Sequence, residues 1–340
     1  MRIDKLTLTN FRNFKRKTFK FSPETTVIVG PNAIGKTNIL EAIYFLSTGK
    51  SFRAKLEREM ISYEADFCRV EGKAGEINLA VVLTKGLIER KKLLVNGVGK
   101  RLVDFAGNLK TTLFGPWDLD LVTASPSGRR RFLDMVLSQV DREYRRASLS
   151  YEKGLRQRNR LLYKIREEGL SRSQLLFWDR LLIKNGDYIS SARQSLIDFI
   201  NQTEGVDSQK FTVVYDKSAI SEGRLEQYAE EEVAAATTLV GPHRDDFVIR
   251  IGDKESRSLA TYGSRGEQRM GVLWLKLAEL AFVEAKTGEK PILLLDDIFS
   301  ELDHEHRKIV MNIVGNQQTI ITTADPHYIE WLKKVEVIEL

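Results

Sequence analysis

Apolar positions alternate with polar ones at the start of the chain. Ile3, Leu6 and Leu8 lead into Asn10-Phe11-Arg12-Asn13-Phe14, and Thr18-Phe19-Lys20-Phe21 follows before a turn at Ser22-Pro23-Glu24. A period of two predicts strands, here at the edge of a mixed sheet running into the short apolar strand Thr26-Val27-Ile28-Val29. The apolar spacing after Thr37 predicts a helix to about Ser47. Cys68-Arg69-Val70 and the run Ile77 to Leu83 predict two more strands, joined through Gly72 and Gly75. Glu89 to Val95 and a segment beginning Lys100-Arg101 flank Asn96-Gly97, a strong hairpin signal, and complete an antiparallel meander.

From Ser127 the period lengthens. Phe132, Leu133, Val136, Leu137, Val140 and Tyr144 fall on one helical face, in a pattern that continues to Arg166. Gly169, Ser171 and Ser173 interrupt it, and Leu175 to Ile200 predicts a second long helix, so the two form an antiparallel hairpin. Gly154 and Gly186 weaken the prediction of unbroken helices. Beyond the hairpin the pattern predicts a strand at Lys210 to Tyr215, a helix over 224–236 and a strand at Phe247 to Ile251. A long helix over 267–285, a fully apolar strand at Pro291 to Leu295, a helix to about Val314 and a strand at Gln318 to Thr323 complete the chain. The expected architecture is α/β: a discontinuous sheet domain, 1–115 with 208–340, and an inserted helical lobe, 116–207.

With 340 residues, 42% of them hydrophobic and 29% charged, the composition is that of a soluble globular protein with a sizeable core. No run approaches the length of a membrane helix, and Met1-Arg2-Ile3-Asp4 opens no signal-peptide core, so we expect a cytoplasmic protein with no membrane partner. A single cysteine, Cys68, excludes intramolecular disulfides and cysteine-based zinc sites, and fits a small core residue; four scattered histidines form no ligand cluster. Net charge is +6, which permits a polyanionic partner. Much of the positive charge lies on the first long helical pattern, at Arg129, Arg130, Arg131, Arg142, Arg145, Arg146, Arg156, Arg158, Arg160 and Arg166. Such a face is either a solvated helix surface or a phosphate-backbone contact, salt-sensitive and indifferent to base sequence.

Chemistry concentrates in two places. Gly30-Pro31-Asn32-Ala33-Ile34-Gly35-Lys36-Thr37 satisfies G-x-x-x-x-G-K-[ST] between a strand and a helix. Such a loop turns backbone N–H groups toward phosphates, with glycine where a Cβ would clash or φ must be positive, and aims a helix N-terminus at the anion. Lys36 can reach the outer phosphates and Thr37 can offer its hydroxyl to Mg2+. Far along the chain, the apolar strand ends in Asp296-Asp297. Asp296 fits the carboxylate that holds the Mg2+ shell, and Asp297 is placed to orient or deprotonate the attacking water. Thr261 to Arg269 adds a second anion-binding device, Ser264 and Gly266 at a helix start. Two other polar segments stay open: Arg12, either a phosphate contact or a solvated turn residue, and Gly241-Pro242-His243-Arg244-Asp245-Asp246, either a surface turn or a loop facing nucleotide or a partner subunit.

Together these motifs resemble the ABC-type ATPases of the SMC and DNA-repair group, and within it the RecF family of bacterial DNA replication and repair proteins. The resemblance rests on Leu8-Thr9-Asn10-Phe11-Arg12-Asn13-Phe14, the P-loop, the Gly241–Asp246 loop, the signature Ser264-Arg265-Gly266-Glu267-Gln268-Arg269, the Asp296-Asp297 strand and the D-loop Ser300-Glu301-Leu302-Asp303. Leu119 to Asp134 also resembles the start of that family's lobe, and the likeness spans nearly the whole chain.

The resemblance implies an ABC-ATPase head, a mixed sheet with an antiparallel meander, carrying an inserted helical lobe too short for the long coiled coils of SMC proteins. It implies an ATP-dependent homodimer with two composite sites. In each, Lys36, Thr37, Asp296 and Asp297 of one subunit would hold MgATP while Ser264 and Gly266 of the other close over it. We place Arg12, Pro31, Asn32, Ala33, Ile34 and Asn38 among the nucleotide-binding positions as well, Lys36, Ser264, Asp296 and Asp297 among the catalytic ones, and Thr37 with Asp296 at the metal. The family further implies weak, DNA-stimulated ATP hydrolysis and binding to duplex or gapped DNA. The lobe would contribute Arg129, Arg130, Arg131, Arg142 and Arg146. Recombinational gap repair, replication restart and the SOS response to DNA damage, with RecR, RecO and RecA as partners, follow from the same likeness. Ala33 stands where many ABC proteins have glycine, which is compatible with a negative φ. No histidine switch is present at Thr322-Thr323-Ala324, and no Q-loop glutamine near Phe114-Gly115-Pro116. An ABC-transporter subunit, a RecN- or SMC-like DNA-bridging ATPase and a nucleotide-sensing scaffold are the rival readings.

Overall fold

The computed structural model describes residues 1–86, 90–253, 255–301, 304–327, 332 and 334–340. Its strands are β1 (Lys5–Phe11), β2 (Phe14–Lys20), β3 (Thr25–Val29), β4 (Phe67–Ala74), β5 (Ile77–Thr84), β6 (Arg90–Val95), β7 (Val98–Lys100), β8 (Thr111–Phe114), β9 (Phe211–Asp216), β10 (Asp246–Ile251), β11 (Arg257–Ser258), β12 (Ile292–Asp296), β13 (Thr319–Thr323) and β14 (Val335–Glu339). The longer helices are α1 (Lys36–Thr48), α2 (Pro126–Val140), α3 (Arg142–Glu168), α4 (Leu176–Gln202), α5 (Arg265–Thr287) and α6 (His304–Ile313). Glu89, Leu302 and Asp303, singled out in the sequence, lie outside the described residues.

The chain divides into two compact units, Met1–Leu119 with Glu279–Leu340, and Asp120–Ala278. The second is larger than the lobe expected over 116–207, because it also takes in β9, β10 and β11. These three strands form a sheet of their own, and the helices α4 and α2 pack on β9 and β10.

The first unit holds two sheets, where the sequence led us to expect β1 and β2 at the edge of one mixed sheet. One is antiparallel throughout, in the order β2-β1-β4-β5-β6-β7. Leu6 and Leu8 are buried in β1 while Lys5, Thr7 and Thr9 face the other way, and the alternation breaks at Asn10, at φ +50, so that Phe11 is buried as well. Asn96 and Gly97, both at positive φ, close the β6–β7 hairpin as the dipeptide predicts. Gly72 does not join two strands; it lies within β4, where a Cβ would come 2.5 Å from Leu46. The other sheet is parallel, in the order β14-β3-β13-β12-β8. β12 and β13 are buried at every residue, as continuous apolar and threonine-rich runs in a parallel sheet must be. Cys68 is buried in this unit, where burial pushes its thiol up to about 12, so it is an unreactive core residue.

In the second unit the helical run from Ser127 is broken where the sequence predicts one helix. Asp141 accepts from the backbone N–H groups of Glu143 and Tyr144 and caps a new helix, so α2 and α3 are separate. α3 and α4, by contrast, run unbroken through Gly154 and Gly186. Both glycines serve close packing: a Cβ on Gly154 would lie 2.5 Å from Leu181, and one on Gly186 2.7 Å from Ile220.

Candidate nucleotide site and its surroundings

The parallel register sets the site. β3 and β12 flank β13, so the C-terminal ends of all three strands emerge side by side, the position at which open parallel sheets bind ligands. β3 runs into the loop Gly30–Gly35 and α1 begins at Lys36. Gly35 has φ +116 and sits where a Cβ would meet the Asn13 amide at 2.7 Å. Gly30 permits a close approach: a Cβ there would be 3.2 Å from the Leu340 carbonyl, tighter than an ordinary contact. Ala33 adopts φ +65, not the negative value expected for it. An L-residue there carries a local strain of about 1–2 kcal/mol, which the surrounding turn overcomes.

The side chains converge on Asp296, which is 4% exposed. Thr37 Oγ1 donates to both of its carboxylate oxygens, at 3.0 and 2.9 Å, and Thr322 Oγ1 donates at 2.5 Å. Burial raises the Asp296 carboxyl above the ordinary carboxylate range, against the lowering effect of the two hydroxyls. Asp297 follows at φ +50, with its N–H bound to the Thr322 carbonyl and hydroxyl, both at 3.1 Å. Lys36 is buried, and its ammonium donates to the loop carbonyls of Gly30 and Pro31 at 2.7 and 3.0 Å.

This set suits a magnesium-bound polyphosphate. The donors are hard oxygens alone, one carboxylate and two hydroxyls, and a divalent cation would offset the buried charge on Asp296. Among the described residues no group of three His, Cys, Asp or Glu side chains forms a self-sufficient metal cage. The Lys36 ammonium rests on carbonyls that phosphate oxygens can replace without leaving it unpaired.

Behind the loop lies a polar cluster that the motif pattern does not reveal. Glu41, completely buried on α1, accepts from Arg12 Nε and Nη2 at 2.8 and 2.6 Å and from Ser51 Oγ at 2.5 Å. Arg12 also donates to the Glu59 carbonyl. Its guanidinium is therefore anchored by Glu41 through Nε and Nη2 and by the Glu59 carbonyl through Nη1. Asn13 bridges the Ile34 carbonyl and the Asn38 amide, and Arg53 reaches Asn38 at 2.8 Å. A carboxylate between Leu40 and Ala42 on an apolar helix face was the signal that a buried cation partner must exist.

Ser264 and Gly266 belong to the second unit. Ser264 caps α5 in a reciprocal box: its N–H donates to Glu267 at 2.7 Å and its hydroxyl accepts from the Glu267 N–H at 3.2 Å. The Ser264 N–H holds the Glu267 carboxyl below its usual range, with Arg257 assisting. Ser264, Arg265 and Gly266 are exposed, and a Cβ on Gly266 would meet nothing closer than 4.0 Å. The helix start is thus open to an incoming anion.

The arginines expected on one solvated face have divergent positions. Arg129 forms a bidentate pair with Asp246 at 2.7 and 2.9 Å, and Arg130 donates to the Asp245 carbonyl. Arg158 is 2% exposed, paired with Asp179 and Glu232. The charge of these three is engaged inside the unit by Asp179, Glu232 and the Asp245-Asp246 loop. Arg131, Arg142 and Arg146 remain exposed, the last paired with Glu143. The Gly241–Asp246 segment is a buried hub. Asp245, fully buried, accepts from Arg193 at 2.8 Å, from Tyr215 and from the Ser218 N–H, while Arg193 also reaches Asp134. Gly241, at φ +124, lies where a Cβ would be 2.2 Å from the Tyr151 hydroxyl. His243 bonds Tyr151 and the Thr238 carbonyl, and burial lowers its pKa to about 4.

Comparison with known proteins agrees with this geometry. The RecF/RecN/SMC N-terminal domain family matches residues 2–339. The DNA replication and repair protein RecF of Halalkalibacterium halodurans is 39% identical, over 96% of this chain and 93% of its own. That of Roseiflexus castenholzii is 36% identical, over 95% and 93%. A solved structure of the recombination mediator protein RecF with ATP superimposes with a TM-score of 0.86 at 31% identity, covering 95% of this chain and 92% of the other. The Smc head domain of Pyrococcus furiosus shares the fold, with a TM-score of 0.53 at 17% identity. A P-loop helix joined to a buried Asp296, a capped signature helix and likeness along the whole chain make this protein a member of the RecF family of SMC-type ATPases.

Proposed function

We propose that this chain is an ATP-dependent recombination mediator that binds duplex or gapped DNA as an ATP-induced dimer. Membership of the family carries ATP binding and ATPase activity in general terms. The observation that supports the finer reading is the pairing of Thr37 with Asp296 beside a Lys36 ammonium that donates to loop carbonyls. Thr37 and Asp296 would hold Mg2+ together with phosphate oxygens, and the cation would supply neutralisation of charge developing on the nucleotide. Lys36 orients the outer phosphates, and the loop N–H groups with the α1 N-terminus hold the remaining charge. Asp297, fixed through its own N–H to Thr322, orients water for in-line attack.

Ser264 and Gly266 of a second copy close the site in this reading, because an exposed capped helix start is an anion-binding device that one copy's P-loop does not need. ATP then joins two copies, and slow hydrolysis separates them. Partnership with RecR, RecO and RecA on gapped DNA belongs to the same proposal. Phosphate release measured with and without gapped duplex tests it. Stimulation by DNA in the wild type, lost in Asp297→Ala, is expected; an unchanged rate in that variant contradicts the role given to Asp297.

A further inference from the structure

The outward face of the antiparallel sheet carries two rows of cations that nothing above uses. Residues directly opposite one another across a sheet share a face. Lys20 lies opposite Lys5, and Lys5 opposite Lys73, so three lysines stand side by side across β2, β1 and β4. Four residues along the strands, Arg16 lies opposite Thr9, Thr9 opposite Arg69, Arg69 opposite Val82 and Val82 opposite Lys92. A row of hydroxyls, Thr18 and Thr7, separates the two, their Oγ1 atoms 3.1 Å apart. The opposite face is core, with Leu6, Leu8, Phe19 and Val70 buried.

Lys5, Arg16, Lys20, Lys73 and Lys92 are exposed, and none of them has an ion pair or side-chain hydrogen bond among the described residues. Glu71, opposite Thr7 in the line between the two rows, is taken by Arg69 at 2.7 Å. Like charges directly opposite destabilise a sheet. Lysines on an exposed edge strand guard against aggregation, which accounts for Arg16 and Lys20 on β2. That account does not reach Lys5, Lys73 or Lys92, which stand on paired inner strands. We propose that this face is a polyanion-binding surface for the two phosphate strands of duplex DNA, separate from the arginines of the second unit. It rests on the DNA-binding reading above.

The spacing favours a duplex. Four residues of strand separate the rows by about 14 Å, comparable with a major groove about 12 Å wide. In the first row the cations repeat at the interstrand distance of about 4.8 Å, and in the second they stand on alternate strands, about 9.6 Å apart. Two parallel lines of positive charge therefore bracket a groove, with threonine hydroxyls between them. With no aromatic side chain in either row, binding is through the backbone and indifferent to sequence.

The test is a salt titration of a fluorescent 30-base-pair duplex against the full-length chain with ATP present. The proteins compared are the wild type, Lys5→Gln/Lys20→Gln/Lys73→Gln, and Arg142→Gln/Arg146→Gln. Each phosphate contact contributes about 0.9 to the slope of log affinity against log salt, so the triple variant should flatten the slope by about 2.7. Its thermal midpoint should rise, because opposed lysines are relieved. Wild-type binding with the same slope and affinity in the triple variant overturns this surface and leaves the DNA-binding reading standing. No duplex binding by the wild type at low salt overturns both. Vesicles of phosphatidylserine and phosphatidylcholine are the control probe. Tighter binding to them than to duplex, lost in the triple variant, overturns DNA as the occupant.

Discussion

Thr37 and Asp296, 259 residues apart in the chain, are joined by a hydroxyl that donates to both carboxylate oxygens. The strand β13 makes this possible, since it separates β3 from β12 and supplies Thr322 as a second donor to the same carboxylate. Asp296 is thereby oriented before any ligand arrives. Replacing it with asparagine keeps the shape and removes the charge. We expect Asp296→Asn to weaken Mg2+-dependent nucleotide binding by at least about tenfold and to slow phosphate release by about 100-fold. Nucleotide binding without Mg2+ should change little. Isothermal titration with and without the cation checks both.

The pair Arg12–Glu41 ties the first hairpin to the P-loop helix. Glu41→Ala strands the Arg12 guanidinium in a largely buried position and should cost about 3 kcal/mol in unfolding free energy. The double replacement Arg12→Met/Glu41→Met should recover most of that loss. Urea unfolding curves of the three proteins decide it. A double variant as unstable as the single one would show that the pair is not the source of the loss.

Ala33 offers a test of backbone strain. Because its φ is +65, Ala33→Gly should raise stability by up to about 1 kcal/mol, whereas Ala33→Val should lower it. Denaturant midpoints give the sign directly.

His243 links the second unit to pH. Its pKa is lowered from 6.5 to about 4 by burial, so between those values the unfolded chain binds a proton that the folded chain does not. Stability is full above pH 6.5 and declines as pH falls toward 4, by roughly 2 kcal/mol at pH 5. Tyr151, Arg244, Arg130 and Arg158 face or surround the imidazole, and the three cations oppose its protonation. His243→Gln keeps a donor and an acceptor and should remove that part of the pH dependence, read as a flatter plot of unfolding free energy between pH 7 and 5.

What could be read from sequence follows from how local each signal is. The P-loop, Asp296-Asp297 and the helix start at Ser264 are contiguous patterns whose geometry is dictated by a few neighbouring residues. The ion-pair partners of Arg129, Arg130 and Arg158 were unreadable, because they are remote: Asp246 lies 117 residues from Arg129. Helical periodicity identifies a face but not what packs against it. Strand spacing likewise does not say that β9 to β11 pair with one another. Ala33 shows a third limit, in which the turn imposes a backbone conformation that the residue itself disfavours.

The central claim is that ATP closes two copies of the chain around paired half-sites, and light scattering tests it most directly. Mass is to be measured with and without a non-hydrolysable ATP analogue and Mg2+, for the wild type and for Ser264→Arg. The account predicts that the 38.9 kDa chain doubles in mass only when the nucleotide is present, and that Ser264→Arg binds the nucleotide yet stays monomeric. A wild-type chain that keeps one mass in both conditions, or a Ser264→Arg variant that dimerises normally, would contradict it.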